Sequence, residues 1–170
     1  MEFKKQYKFQ IEDEIWRVRE IFEIKWRTGG KSYEYTIRSK SGLTRYLEVF
    51  KNLEGQLFIW WCGKARNERF LSIPITEDAV QISRFTFPQT ISYQGMHYAF
   101  TQRDHGNSYS SHFESETVEC LTYEAQESKA VLVIEVWNRD ELEIYTGKQL
   151  QAAAITALKP SLLDRILVYF

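Results

Sequence analysis

Apolar and polar residues alternate along most of the chain, so its dominant period is two. In the stretch WRVREIFEIKW, Trp16, Val18, Phe22, Ile24 and Trp26 share one parity, while Arg17, Arg19, Glu23 and Lys25 share the other. This alternation predicts a strand with one buried and one wet face. Thr28 to Lys31 break the pattern as a tight turn does. Tyr33, Tyr35 and Ile37 resume it before Ser41-Gly42, and Leu43, Leu47 and Val49 carry it on. A second turn over Asn52 to Gly55 leads to Leu57, Ile59 and Trp61. Strands joined by short polar turns predict an antiparallel meander over about residues 7–62.

Residues 63–90 form a less regular connector, in which Pro74 and Pro88 argue against a central strand. The alternation then returns over 91–147 and follows the first half loosely. Tyr35 parallels Tyr123, Glu48 parallels Glu135, and the Leu57–Trp61 strand parallels Leu142–Tyr145. The sequence Leu47-Glu48-Val49-Phe50 has its counterpart in Ile134-Glu135-Val136-Trp137. An internal duplication follows, with the extra length of the second half placed in the polar insert of residues 101–116. One meander cannot bury its apolar face alone, so two related halves are expected to pack together. After Gly147 the period becomes helical. KQLQAAAITALK and, beyond Pro160, SLLDRILVYF predict one or two helices within 148–170. The expected fold is thus mainly β in a single domain, 1–170. Its two antiparallel meander halves would form a sandwich or a partly open barrel with helix at the C-terminal end.

Composition narrows the function classes. The 22 basic and 23 acidic residues leave a net charge of −1, without the basic surplus a nucleic-acid binder uses on phosphate. Aromatic residues make up 15% of the chain, which suits half-buried pleated surfaces. No run reaches the roughly eighteen apolar residues that span a bilayer, and the N-terminal stretch MEFKKQYKFQ has no signal-peptide core. Cys62 and Cys120 form no CxxC pair, so the expectation is a cytoplasmic protein with reduced thiols.

Three groups of residues are candidates for chemistry. Glu48 and Glu135 occupy matching positions of the two halves, and paired carboxylates serve general acid–base and glycoside chemistry. Against this, a strand that points Leu47 and Val49 inward points Glu48 outward, toward a surface partner such as Arg45 or Arg69. The insert brings Asp104, His105, His112 and Glu114 close in sequence, with His97 upstream, yet the spacing matches no metal motif. A hairpin loop is the expected structure there, and no metal or cofactor is expected. Trp60 shares its parity with Phe58 and Phe50, so an exposed Trp60 would mark an interaction patch, whereas a covering sheet would make all three core. No GxSxG or P-loop spacing is present.

One family resemblance joins these positions. Trp16-x-Val18, Glu34-Tyr35-x-Ile37, Gly42 and Arg45-Tyr46-Leu47-Glu48-Val49 carry it in the first half. Tyr98, Tyr123, Leu132-x-Ile134-Glu135-x-Trp137, Glu141-x-Glu143 and Gly147 carry it in the second. In these residues, over most of 9–150, the chain resembles a bacterial family known as domain of unknown function 4178. The resemblance implies a cytoplasmic setting and an association with membrane-stress and membrane-channel gene neighbourhoods. It brings no proven catalytic residues, although Glu34, Glu48 and Glu135 fall on its recognisable positions. The functional expectation is a binding or adaptor module. It would work through Trp60, Phe58 and Phe50 or through Asp104, His105 and His112. Its partner would be a protein, a second copy of itself, or a protein at the inner membrane surface, with peripheral membrane association. The alternative is a hydrolase or isomerase using Glu48 and Glu135.

Overall fold

The computed structural model describes residues 3–51, 55, 57–68, 87–110, 115–138 and 141–158. These residues form one antiparallel sheet of eleven strands. In chain order they are β1 (Lys8–Ile11), β2 (Glu14–Trp26), β3 (Lys31–Ser39), β4 (Thr44–Lys51), β5 (Leu57–Glu68) and β6 (Thr90–Tyr93). They continue as β7 (Met96–Ser110), β8 (Glu116–Ala125), β9 (Ala130–Trp137), β10 (Glu141–Gln149) and β11 (Ile155–Ala157). The spatial order is β11-β1-β2-β3-β4-β5-β10-β9-β8-β7-β6, and β2 also pairs with β7. That extra ladder, from Phe22–Ser110 to Trp26–Gly106, closes β2 to β5 and β7 to β10 into an eight-stranded barrel. The expected sandwich or partly open barrel is therefore a closed one.

Closure depends on two bent strands. The register of β2 slips between Val18 and Glu20, and that of β7 slips between Phe100 and Gln102. A bulge bends a strand and turns it toward a new neighbour. The first half of β2 accordingly pairs with β1 and its second half with β7. Likewise β7 pairs with β6 before its bulge and with β2 near its end. The bulge also moves the alternation of β2 by one residue. Trp16, Val18 and Ile21 belong to one apolar cluster and Trp26 to another, so the shared even parity does not give a single face.

Both faces of the barrel wall carry buried apolar clusters. Outside, Tyr35, Ile37, Leu47, Val49 and Ile59 pack against Phe3, Phe9, Ile11, Trp16 and Ile155. On the other half, Leu121, Tyr123, Leu132, Ile134, Leu142 and Ile144 pack with Ile91 and Tyr98. Inside, Trp60, Cys62, Cys120, Val131, Val133 and Tyr145 meet Trp26, Tyr46 and Phe50. A wall covered on both sides explains the nearly continuous apolar run of β9, in which Val131 to Val136 are all buried.

Two expectations about elements are corrected. The first C-terminal helix is absent: Lys148 and Gln149 end β10, Ala152–Ala154 make a single 3₁₀ turn, and β11 follows. The alanine run favours helix weakly, and pairing overrides it. Leu150 donates its N–H to the Ile59 carbonyl at 2.8 Å, while Ile155 is buried opposite Ile11. The second expected helix, within 161–170, lies outside the described residues. The polar insert is not a loop through residue 110 either. Strand β7 runs to Ser110, because its backbone is paired on both sides with β8 and β2 while Thr101, Gln102 and Arg103 stay exposed.

Candidate functional site

The barrel interior is acidic. Glu34 on β3 stands directly opposite Glu48 on β4, and Glu135 on β9 stands opposite Glu143 on β10. Because Leu47 and Val49 face the outer cluster, Glu48 faces inward, and the outward orientation expected for it is overturned. Glu34, Glu48 and Glu135 line one cavity of about 20 Å³ with Tyr46, Trp60, Cys62, Val133 and Tyr145. A space of that size has room for about one water molecule.

Like charges directly opposite one another are unfavourable, and burial adds to the cost of ionising them. Burial, with the charges of Glu48 and Glu143 next, raises Glu34 to about 8, while Lys64 opposes the rise. Burial raises Glu48 to about 7 against the hydrogen bond from Ser32. Burial also holds Glu135 well above the usual carboxylate range, aided by Glu34, Glu48 and Glu143. The surroundings partly satisfy these groups. The Trp137 indole donates to Glu135 Oε2 at 3.1 Å, and the Tyr145 hydroxyl and Lys64 both reach Glu143. The Trp26 indole donates to Ser32 Oγ at 3.1 Å and so fixes the hydroxyl beside Glu48.

One end of the interior opens into a pocket of about 540 Å³. Its deep wall is Trp26, Glu48, Phe50, Trp60, Cys120 and Thr122, and its rim is Thr28, Gly29, Lys31, Lys51, Gln102, Arg103 and Asp104. Phe50 and Trp60 meet edge to face with ring centroids 4.8 Å apart. Glu48 and Trp60 border both the mouth and the inner cavity, whereas Glu34 and Glu135 border only the cavity.

The structure thus brings Glu48, Glu135 and Glu34 together. Trp60 is buried at 7% exposure, so it belongs to the barrel interior and not to an exposed patch. Phe50 and Phe58 stack on the same face, with centroids 5.2 Å apart. Asp104 reaches the mouth, where Thr28 and Gln102 donate to its carboxylate. His105 leans instead toward Glu119, with Nδ1 3.8 Å from Oε2. His112 lies outside the described residues. Among the described residues no group of three or more His, Cys, Asp and Glu side chains is arranged to hold a metal ion. Sequence reasoning missed Glu143, Tyr145, Tyr46 and Cys120 as interior residues. The parity of Glu143 and Tyr145 with Glu135 across a short turn was the available signal for two of them. A further hollow of about 530 Å³ lies against the β6–β7 hairpin and Ala125–Ser128, and no buried charged side chain lines it.

Fold and site together define a class: a closed, eight-stranded antiparallel barrel with a carboxylate-lined interior and, among the described residues, a pocket at its mouth. The chain belongs to the family described as Domain of unknown function (DUF4178), whose profile matches residues 4–152. That match takes in all eight barrel strands and every site residue named above. No curated protein and no solved structure matches the chain. Among the described residues no helix is long and apolar enough to cross a membrane.

Proposed function

We propose that this chain is a non-enzymatic binding module that takes a small molecule in the mouth of its barrel. The observation carrying this reading is the pocket of about 540 Å³, with three aromatic side chains and a single carboxyl group, Glu48, in its deep wall. Small-ligand sites typically enclose about 300–1,000 Å³, are largely apolar and carry few polar anchors. Eight-stranded barrels are also the size that holds one small ligand. An adaptor role through an exposed aromatic face has less support. Trp60 is inside, and the exposed large apolar side chains are dispersed, Ile15 on β2, Leu43 between β3 and β4, and Met96 and Tyr109 near opposite ends of β7.

Native mass spectrometry of the protein isolated from its own cells tests the proposal. Wild type should carry a small adduct that Trp60→Ala loses while keeping its β circular-dichroism spectrum. A bare chain in both, also after exposure to a cell metabolite extract, would count against it.

The alternative, a hydrolase or isomerase using Glu48 and Glu135, draws support from their shared cavity and from a Glu48 carboxyl poised at about 7. Hydrolysis between the two carboxyls fits poorly, because about 20 Å³ leaves no room for a substrate. A single-base isomerisation at Glu48 fits better. It would appear as turnover that Glu48→Gln abolishes while ligand binding persists.

The same proposal takes the barrel as two copies of one meander, β1–β5 and β6–β10. Register supports it. Both long strands are bulged, and matching Glu48 to Glu135 also matches Tyr46–Cys62 to Val133–Tyr145. On that matching the β5–β10 ladder is self-symmetric, with Cys62–Gly147 and Lys64–Tyr145 flanking Gly63–Thr146. The closing ladder is symmetric too, with Ile24–Ser108 and Trp26–Gly106 flanking Lys25–Asn107. Tyr123 then corresponds to Ile37 rather than to Tyr35, each standing just before a bulge.

A further inference from the structure

We infer that the mouth pocket is built for a small zwitterion, seated with its ammonium end inward and its anionic end at the rim. This rests on the reading of the mouth as a ligand site and names what the site selects.

Polarity in the pocket is segregated by depth. Inward lie the indole and phenyl rings of Trp26, Phe50 and Trp60 beside the Glu48 carboxyl. An ammonium group over aromatic faces gains from the ring quadrupole, most of all where water is excluded. The carboxyl adds a counter-ion. Glu48 is costly to ionise because the wall around it is buried and apolar, and the Asp104 carboxylate adds to the cost. A ligand cation beside it offsets that cost, whereas a ligand anion would add to it. The inner wall therefore selects positive charge.

The rim carries the basic side chains of the pocket. Lys31, Lys51 and Arg103 are exposed there, against the single carboxylate of Asp104. Asp104 is already occupied by Thr28 and Gln102. Lys31 is held by Glu23 and the Tyr33 hydroxyl, and Arg103 by Glu119 at 2.5 Å. Exposed Lys51 places an ammonium at the rim, where it would meet a phosphate or carboxylate on the outer end of the ligand. A purely cationic ligand would pass this rim without using it, and a purely anionic one would meet Glu48. A zwitterion uses both.

Phosphocholine is the probe, because it joins a quaternary ammonium and a phosphate in one small molecule. Choline lacks the phosphate, and 3,3-dimethylbutyl phosphate replaces the ammonium by a neutral isostere. Binding is read by calorimetry and by the fluorescence of the pocket tryptophans. Phosphocholine should bind, and Glu48→Gln should weaken it about tenfold while sparing the isostere. Lys51→Ala should weaken phosphocholine several-fold and leave choline unchanged. Should the isostere match phosphocholine, or Glu48→Gln bind phosphocholine as wild type does, the charge assignment is wrong. The mouth as a ligand site survives that result provided Trp60→Ala abolishes the isostere's binding. If neither these probes nor the general apolar dye anilinonaphthalene sulfonate bind at millimolar concentration in a Trp60-dependent way, both readings fall. Circular dichroism and thermal melts on each variant separate lost binding from lost fold.

Discussion

Glu34, Glu48 and Glu135 surround a space with room for about one water, and their protonation follows from that crowding. Glu34 and Glu48 rise from an ordinary 4.5 to about 8 and about 7. Above pH 4.5 the unfolded chain sheds these protons while the folded barrel keeps them, so the unfolded state binds fewer protons. Stability is therefore fullest below about 4.5 and falls as pH rises through 7 and 8. Glu34→Gln removes one of the groups that must ionise. It should stabilise the protein at pH 8.5 by an amount on the order of a few kcal/mol and change little at pH 4. Urea unfolding at a series of pH values checks this, and an offset independent of pH would contradict it. The sequence pointed to Glu48 and Glu135 through their matching surroundings. It could not show that Glu48 faces inward, because one-sided alternation assumes a wet second face, and here the outer cluster of Leu47 and Val49 covers that face as well.

At the scale of elements, the ladder between β2 and β7 decides whether the sheet is a barrel. Gly106 lies within it, and a Cβ there would come 2.7 Å from the Lys25 carbonyl oxygen and 2.9 Å from the Trp26 ring. Neither the paired backbone nor the indole in the wall yields easily. Gly106→Val should therefore loosen the closing ladder and cost about 2 kcal/mol or more. Hydrogen exchange should quicken first at Phe22 to Trp26, with β4 and β9 still protected. Uniform protection across the barrel would show that the contact is not a seam. Turns and strands were legible from their period and punctuation, as at Thr28–Lys31 and at Ser41-Gly42, where Gly29, Gly30 and Gly42 have positive φ. The bulges were not: the slip in β2 shifts the facing of its side chains by one residue, but with apolar residues on both faces Ile21 and Phe22 carry the pattern through it unbroken. The C-terminal alanines misled for a related reason. Helix propensity is local, and the Ile59 carbonyl and β1 that capture Leu150 and Ile155 are distant in sequence.

At the scale of the whole molecule, the proposed duplication would place chemically different residues at matching positions of the two barrel ends. On the matching by register, Trp60 and Cys120 of the mouth stand where the other end has Glu143 and Glu34. The first end is thus aromatic and open, and the second is filled by carboxyls, Tyr145 and Lys64. The family assignment agrees with the sequence reading and supplies no activity, so the chemistry of the interior carries the functional argument. The ligand site requires the three carboxyls to be enclosed together, and carbon-13 NMR of the glutamate side chains across a pH titration tests this most directly. Glu48 should titrate near 7, Glu34 near 8, and Glu135 well above the usual range. If all three titrate near 4.5, they face water, and both the closed acidic interior and the ligand site above it are wrong.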